Sequence, residues 1–488
     1  MNSIKKSLIW SFSERYINQI ISLISSMVLA RLLSPEEIGI FSLCAALTAM
    51  LTIFRDFGVS EYLIREKELT KDKVTGAYAL TFLMAWPIAL LIYTLKENIA
   101  SFYNQPGVSE IISIQALTFI VLPFASPSYA LLNRNMQFKN IFIVQLLTTL
   151  IYAITSVTLA LLDFSYLSLA WASLASIVVQ TIMVTVFRSK EFFLFPNFKN
   201  IHLVWKFGAT FSLSRTIEVA MNNVHELIIS YQFGFHQLGL FSRALGLVNM
   251  FWTNITSAVI RVLAPSFAKS FHQSPNQLLN DYCKAISYFT VLAWPFFAFV
   301  TLEAKNIIFI LFGEQWIAAG PIASILAACQ LICSISTLAP NILVATGHIK
   351  QRLIITLTIA PIHVIGIVIA SFFNIYWIAA TWAVTWSIAL LLYNYHLSKI
   401  INLSFDNLVK SFMPSFYITL IPFTLVAAIN FFSSGLEFNP VIFFGLKCIV
   451  FSIAWLIMIN LTKHPLSQDI KAVIQSAKWK KSRHGSTN

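Results

Sequence analysis

Between Trp205 and Arg243 the chain reads WKFGATFSLSRTIEVAMNNVHELIISYQFGFHQLGLFSR, with long apolar runs on either side. The first part, to about Tyr231, has the length and hydrophobicity of a membrane-spanning helix. It nevertheless carries Arg215, Glu218, Asn222, Asn223, His225 and Glu226 where a lipid-facing helix would carry Leu and Phe. A charge in the middle of a bilayer costs roughly 2.5–3.5 kcal/mol even on the lenient insertion scale, so such groups face a bundle interior or a water-filled cavity. Arg215, Glu218, Asn222 and Glu226 recur at steps of three and four and therefore share one helical face. A polar stripe of this kind on a spanning helix marks a path for a solute.

The elements that must hold this stripe follow from composition. Of 488 residues, 57% are hydrophobic and only 11% charged, with a mean hydropathy of +0.75. A soluble domain carries about 25% charged residues, so most of this chain belongs in lipid. At ~20 residues per span the apolar runs count out to about fourteen helices, and no connecting loop is long enough for a soluble domain. An all-α integral membrane protein is expected. The net charge of +13 is not a nucleic-acid signal, because of where it sits. With the N-terminus inside, nearly all Lys and Arg outside the spans fall on the cytoplasmic side, leaving Arg31, Lys96 and Lys305 opposite. The positive-inside rule accounts for that asymmetry and places both termini in the cytoplasm. The apolar run beginning near Leu8 continues into a full span, so no cleavable signal peptide is expected.

The two halves of the chain repeat each other. Glu37-Ile38-Gly39-Ile40-Phe41-Ser42 matches Gln237-Leu238-Gly239-Leu240-Phe241-Ser242 at an offset of 200, and Arg15 falls on Arg215 at the same offset. Trp86-Pro87 matches Trp294-Pro295, and Thr94-Leu95 matches Thr301-Leu302, after a small drift that loop insertions would produce. Six spans per repeat make the copies parallel, with a solute site expected between them. The expected division is a six-helix lobe at 1–190, a cytoplasmic linker at 191–203, a second six-helix lobe at 204–400, two further helices at 401–464 and a basic tail at 465–488. In that tail Lys478, Trp479, Lys480, Lys481 and Arg483 suit an anionic leaflet at about 1 kcal/mol per cation, or a solvated end.

Four stretches carry a family resemblance: ARLLSPEEIGIFSL (30–43), FGVSEYLIREKELT (57–70), YQFGFHQLGLFSRALGLVNM (231–250) and VIRVLAPSFAKSF (259–271). Together with the span count and the repeat, they resemble the polysaccharide transporter family. That family includes the Wzx-type flippases within the multidrug/oligosaccharidyl-lipid/polysaccharide exporter superfamily. The resemblance implies movement of an undecaprenyl-pyrophosphate-linked sugar unit from the inner to the outer leaflet of the bacterial cytoplasmic membrane by alternating access. The sugar would belong to O-antigen, capsule or another exopolysaccharide. It implies no catalytic residue, and a polysaccharide polymerase and a chain-length regulator as partners beside the lipids. The rival readings are a lipid II flippase, a multidrug or cation antiporter of the same superfamily, and a membrane-embedded polymerase. An antiporter would want an acidic, aromatic cavity, and a polymerase a long external loop.

On that reading the arginines gain a task. Guanidinium is planar, permanently charged and able to bind two oxygens at once, which suits a pyrophosphate. Arg15, Arg215, Arg243 and Arg55 are the candidates to hold it, with Asn222 offered to sugar hydroxyls. The ordinary alternative pairs Arg215 with Glu218, and Arg55 with Asp56 or interfacial lipid. Glu218, Glu14, Asp56 and Glu226 are candidates for H⁺ or Na⁺ coupling, or else they neutralise nearby arginines. His225 and His363 read as core contacts. Pro87, Pro123, Pro295, Pro340 and Pro361 lie within spans as bends or kinks. Cys329 and Cys333, four residues apart, have no nearby His or acid to complete a metal set. No P-loop, H-E-x-x-H or G-x-S-x-G motif occurs, so no cofactor is expected and any energy must come from an ion gradient, the membrane potential or consumption of the product.

Overall fold

The computed structural model describes residues 2–188, 201–433 and 439–467, and over them the chain is almost wholly helical. The basic tail motif and most of the 191–203 linker lie outside the described residues. The helices are α1 (Asn2–Leu32), α2 (Pro35–Asp56), α3 (Val59–Arg65), α4 (Lys71–Phe102), α5 (Pro106–Val121), α6 (Ser126–Arg134), α7 (Phe138–Leu161) and α8 (Leu167–Phe187). They continue as α9 (Ile201–Gln273), α10 (Pro275–Phe312), α11 (Ala319–Ser336), α12 (Ala339–Ala345), α13 (Ile349–Ser371), α14 (Ile375–Ile401), α15 (Phe405–Phe432) and α16 (Pro440–Leu461).

Among the described residues, eleven helical segments are long and apolar enough to cross a membrane. Neither α1 nor α9 is among them. Large apolar side chains such as Leu90, Phe432 and Ile442 are exposed on the other helices, as hydrocarbon surroundings permit.

Local sequence explains where the helices begin and break. Ser34 caps α2: its hydroxyl accepts from the Glu37 amide at 3.3 Å, and the Glu37 carboxylate accepts from the Ser34 amide at 2.6 Å. This reciprocal box, with Pro35 in the first turn, satisfies amides that a helix start leaves bare. Two expected spans, 204–230 and 238–262, form one element, α9, broken at Gly234 (φ 79°, ψ 174°). That backbone is open to glycine at little cost. The apolar run at 109–132, expected as one span, breaks into α5, a 3-10 turn holding Pro123, and α6; the run at 319–346, also expected as one, breaks before Pro340 into α11 and α12. Proline has no N–H to continue a helix, so both breaks fall where one is needed. Pro87, Pro295 and Pro361 instead lie inside continuous helices.

The chain packs as two compact units. The first comprises Met1–Ser242 with Leu311–Trp316, and the second Arg243–Ile310 with Ile317–Asn488. In the first, α7 lies against α1 and α8, and α4 against α5. One of its cores gathers Val59, Leu63, Tyr78 and Leu80 from α3 and α4. In the second, α14 packs on α11 and α13, and α15 on α16. There Val291, Ile418 and Ile459 join α10 to the C-terminal pair.

Candidate functional site

The polar stripe lies on the arm of α9 that precedes Gly234. Arg215 and Asn222 are exposed on it, Glu218 and Glu226 half-buried, and His225 buried. Asn223 donates to its own helix at Val219 O (2.8 Å). His225 Nε2 stands 3.6 Å from Glu226 Oε1, and its ring lies 5.3 Å from that of Phe241. Glu218 is engaged with its surroundings, as are Glu14 and Arg15 on α1. The stripe therefore alternates accessible and half-sheltered polar groups along one face of a helix whose neighbours in sequence are apolar.

Arg55 follows its ordinary alternative. It is buried at the end of α2, donates to Asp56 at 2.9 Å and lies 5.3 Å from the centre of the Phe119 ring. The carboxylate and the aromatic face together hold this guanidinium at the end of α2. Arg243 lies beyond Gly234, half-buried and engaged, and belongs to the second unit.

The 57–70 stretch that carried part of the resemblance is held by Arg134. Its guanidinium donates to Leu63 O at 2.7 Å and Ile64 O at 3.4 Å, closing C-terminal carbonyls of α3, and to Lys67 O at 3.3 Å in the loop beyond. In the same loop the Lys73 ammonium, 2.9 Å from Glu66, holds that carboxyl below its ordinary range.

One cluster escaped sequence reasoning. Glu303 on α10 is wholly buried, and both its oxygens accept from Lys447 on α16 at 3.0 Å. Asn430 on α15 adds a bond to Oε1 at 2.7 Å, and Asn306 one to Oε2 at 2.6 Å. The signal was available: a Glu and a Lys each inside an apolar span need partners, and opposite charges in spans pair with one another. Because Glu303 accepts from three side chains, it is a joint between helices.

Among the described residues no three His, Cys, Asp or Glu side chains come together to hold a metal ion. Cys329 instead donates across to Ala379 O on α14, and Cys333 shares a contact with the Thr337 hydroxyl one turn on. His363 meets the Thr385 hydroxyl at 2.9 Å and the edge of Trp382, a satisfied core contact. A cavity of about 410 Å³ between α13 and α14 is lined by Ile362, Gly366, Phe373, Trp377 and Thr381. It is apolar and offers no cation to a phosphate.

Residues 28–321 match the family model described as "Polysaccharide biosynthesis protein". "Lipopolysaccharide biosynthesis protein WzxC" of Escherichia coli (strain K12) is 21% identical over 470 residues, covering 95% of this chain and 94% of its own length. "Teichuronic acid biosynthesis protein TuaB" of Bacillus subtilis (strain 168) is 21% identical over 365 residues, covering 71% and 73% respectively. Among solved structures, "Lipid II flippase MurJ, inward closed conformation" superposes with a TM-score of 0.74 at 13% identity, covering 94% of this chain and 99% of its own. An inward-facing multidrug transporter of the MATE family gives 0.59 at 15% identity. At such identities these likenesses show the fold alone.

Proposed function

This chain belongs to the polysaccharide biosynthesis protein family, and from that premise we propose that it is a flippase. It carries undecaprenyl-pyrophosphate-linked oligosaccharide units across the bacterial cytoplasmic membrane by alternating access. The observation that supports this most is the mixed polar face of α9, with Arg215 and Asn222 accessible on an otherwise apolar helix. A diphosphate needs cations and a sugar needs hydrogen-bonding groups, while hydrocarbon offers neither.

On this reading the two arms of α9 and α1 also cross the membrane and bring the count to fourteen. The polar groups that lower the apolarity of α1 and of the first arm are those a path requires. The repeat then defines lobes at 1–190 and 204–400 with the pair 401–464 added, both termini cytoplasmic and the basic end beside the inner leaflet. Arg215, Arg15 and Arg243 attract the pyrophosphate, and Asn222 meets the sugar. Glu218, Glu14 and Glu226 balance those charges or carry a coupling H⁺ or Na⁺. Arg55 and Asp56 hold the end of α2. A polysaccharide polymerase and a chain-length regulator would act on the delivered unit.

Deleting the gene should leave the lipid-linked unit on the cytoplasmic face, and re-expression should restore polymer at the cell surface. Arg215→Ala should lower export by about tenfold or more, with Arg215→Lys intermediate because a point charge replaces a two-pronged contact. Full export by Arg215→Ala, with normal protein level, would remove the stripe from the mechanism. If the chain supported peptidoglycan synthesis in place of a depleted lipid II flippase, the cargo would be lipid II.

A further inference from the structure

The motif that revealed the repeat also makes a contact within the first unit. Gly39 on α2 and Gly239 on the second arm of α9 cross with nothing between the two backbones. A Cβ on Gly39 would stand 1.9 Å from the carbonyl oxygen of Phe235, and a Cβ on Gly239 would stand 1.8 Å from that of Pro35. These contacts are reciprocal, since residue 35 is to 235 as 39 is to 239. Three residues on, the hydroxyls of Ser42 and Ser242 share a hydrogen bond of 2.9 Å. The crossing is thus a local two-fold joint made of equivalent residues from the two repeats. A second contact lies at the same end of α1 and α2: Trp316 Nε1 donates to Ala30 O at 2.7 Å, and Gln315 Nε2 to the same carbonyl at 2.5 Å. It too joins the first repeat to the second.

We propose that this crossing is the exit gate of the transport path, shut in the state described here and parting when the sugar head-group leaves. The proposal rests on the flippase reading above and on the charge asymmetry that puts the Ser34 turn at the outer face. Its chemistry suits a gate. Small residues let two backbones meet closely enough to exclude water and solute. The bonds that hold them are neutral, and once the crossing parts, the two serine hydroxyls and the Ala30 carbonyl can be met by water at the exit. Opening strands no charge. A single methyl group placed at either glycine has no room while the joint is closed, because the atoms it meets are backbone.

The full-length chain, with its five native cysteines replaced, provides the test. Ser42→Cys with Ser242→Cys should form a disulfide on mild oxidation, seen as linked peptides by mass spectrometry. Export should then fall about tenfold or more and return on reduction. Independently, Gly39→Ala should raise the labelling of a lone Ser242→Cys by a membrane-impermeant thiol reagent from the outer side by roughly tenfold. An oxidised pair that exports as well as the reduced one, or labelling unchanged by Gly39→Ala, would make the crossing a fixed joint and overturn the proposal. Should Gly39→Ala fail to reach the membrane, the cysteine pair decides alone. If the unlinked chain moves no lipid-linked sugar at all, the flippase reading fails, whereas the labelling change still reports on the crossing.

Discussion

Two helix crossings in this protein are closed by opposite means. At Gly39 and Gly239 the joint consists of missing side chains, one neutral hydrogen bond and backbone in direct contact. At Glu303 it consists of a buried carboxylate held by Lys447, Asn430 and Asn306, with Lys447 also 4.6 Å from the Phe443 ring centre. The first can part and leave its polar groups to water. The second cannot, because parting strands a charge in an apolar interior. The chain thus places a separable contact between equivalent residues of its repeat, and an inseparable one between α10 and the C-terminal pair α15 and α16. The contrast assigns motion to the former and permanence to the latter.

The largest expected effect breaks the permanent joint. Lys447→Met should destabilise the protein by about 3–5 kcal/mol, since Glu303 loses its counter-charge. Glu303→Gln combined with Lys447→Met should recover most of that loss, because no charge then remains. Thermal unfolding of the detergent-purified chain would check both. A single variant as stable as its parent would show that the node holds nothing together.

Next comes the glycine crossing. Gly39→Ala should cost the closed form about 1–3 kcal/mol by overpacking, yet opening relieves the clash. Its thermal midpoint should therefore fall far less than that of Lys447→Met, while its outer-side labelling changes more. If the two variants ranked the other way in both measurements, the division into moving and fixed joints would be wrong.

The smallest effect concerns a second fastening of the C-terminal pair. His464, just past α16, bonds the Ser287 hydroxyl on α10 at 2.8 Å, and burial holds its imidazole below the ordinary value of 6.5. The unfolded form therefore binds a proton more readily. The fastening is fully present above about pH 6.5, where the unfolded imidazole is neutral, and weakens as pH falls from there toward the folded value. Limited proteolysis near residue 464 between pH 7.5 and 5 should show increasing release on acidification, and His464→Asn should flatten the dependence. Release that grew as pH rose would contradict the sign.

Much of the fold was legible because it depends on local properties. Apolar runs of spanning length, the Ser34 cap with Glu37, and the charged stripe on α9 each follow from residues near one another in the chain. Legibility stopped where a residue's meaning depended on its neighbours in space. The pairing of Arg55 with Asp56 could be read from adjacent residues, but the Phe119 ring beside it could not. Lys447, a cation inside an apolar span, meets Glu303, 144 residues away in the chain, only in the folded protein.

By itself, then, the sequence determined a many-spanned helical membrane protein whose two halves share a short motif, with charged residues inside apolar stretches. The reason is that helix length, capping and hydropathy act within a few turns. Only the tertiary structure decided which charges are committed to each other and that the repeated glycines meet. Those outcomes depend on which helices become neighbours, and packing settles that across hundreds of residues.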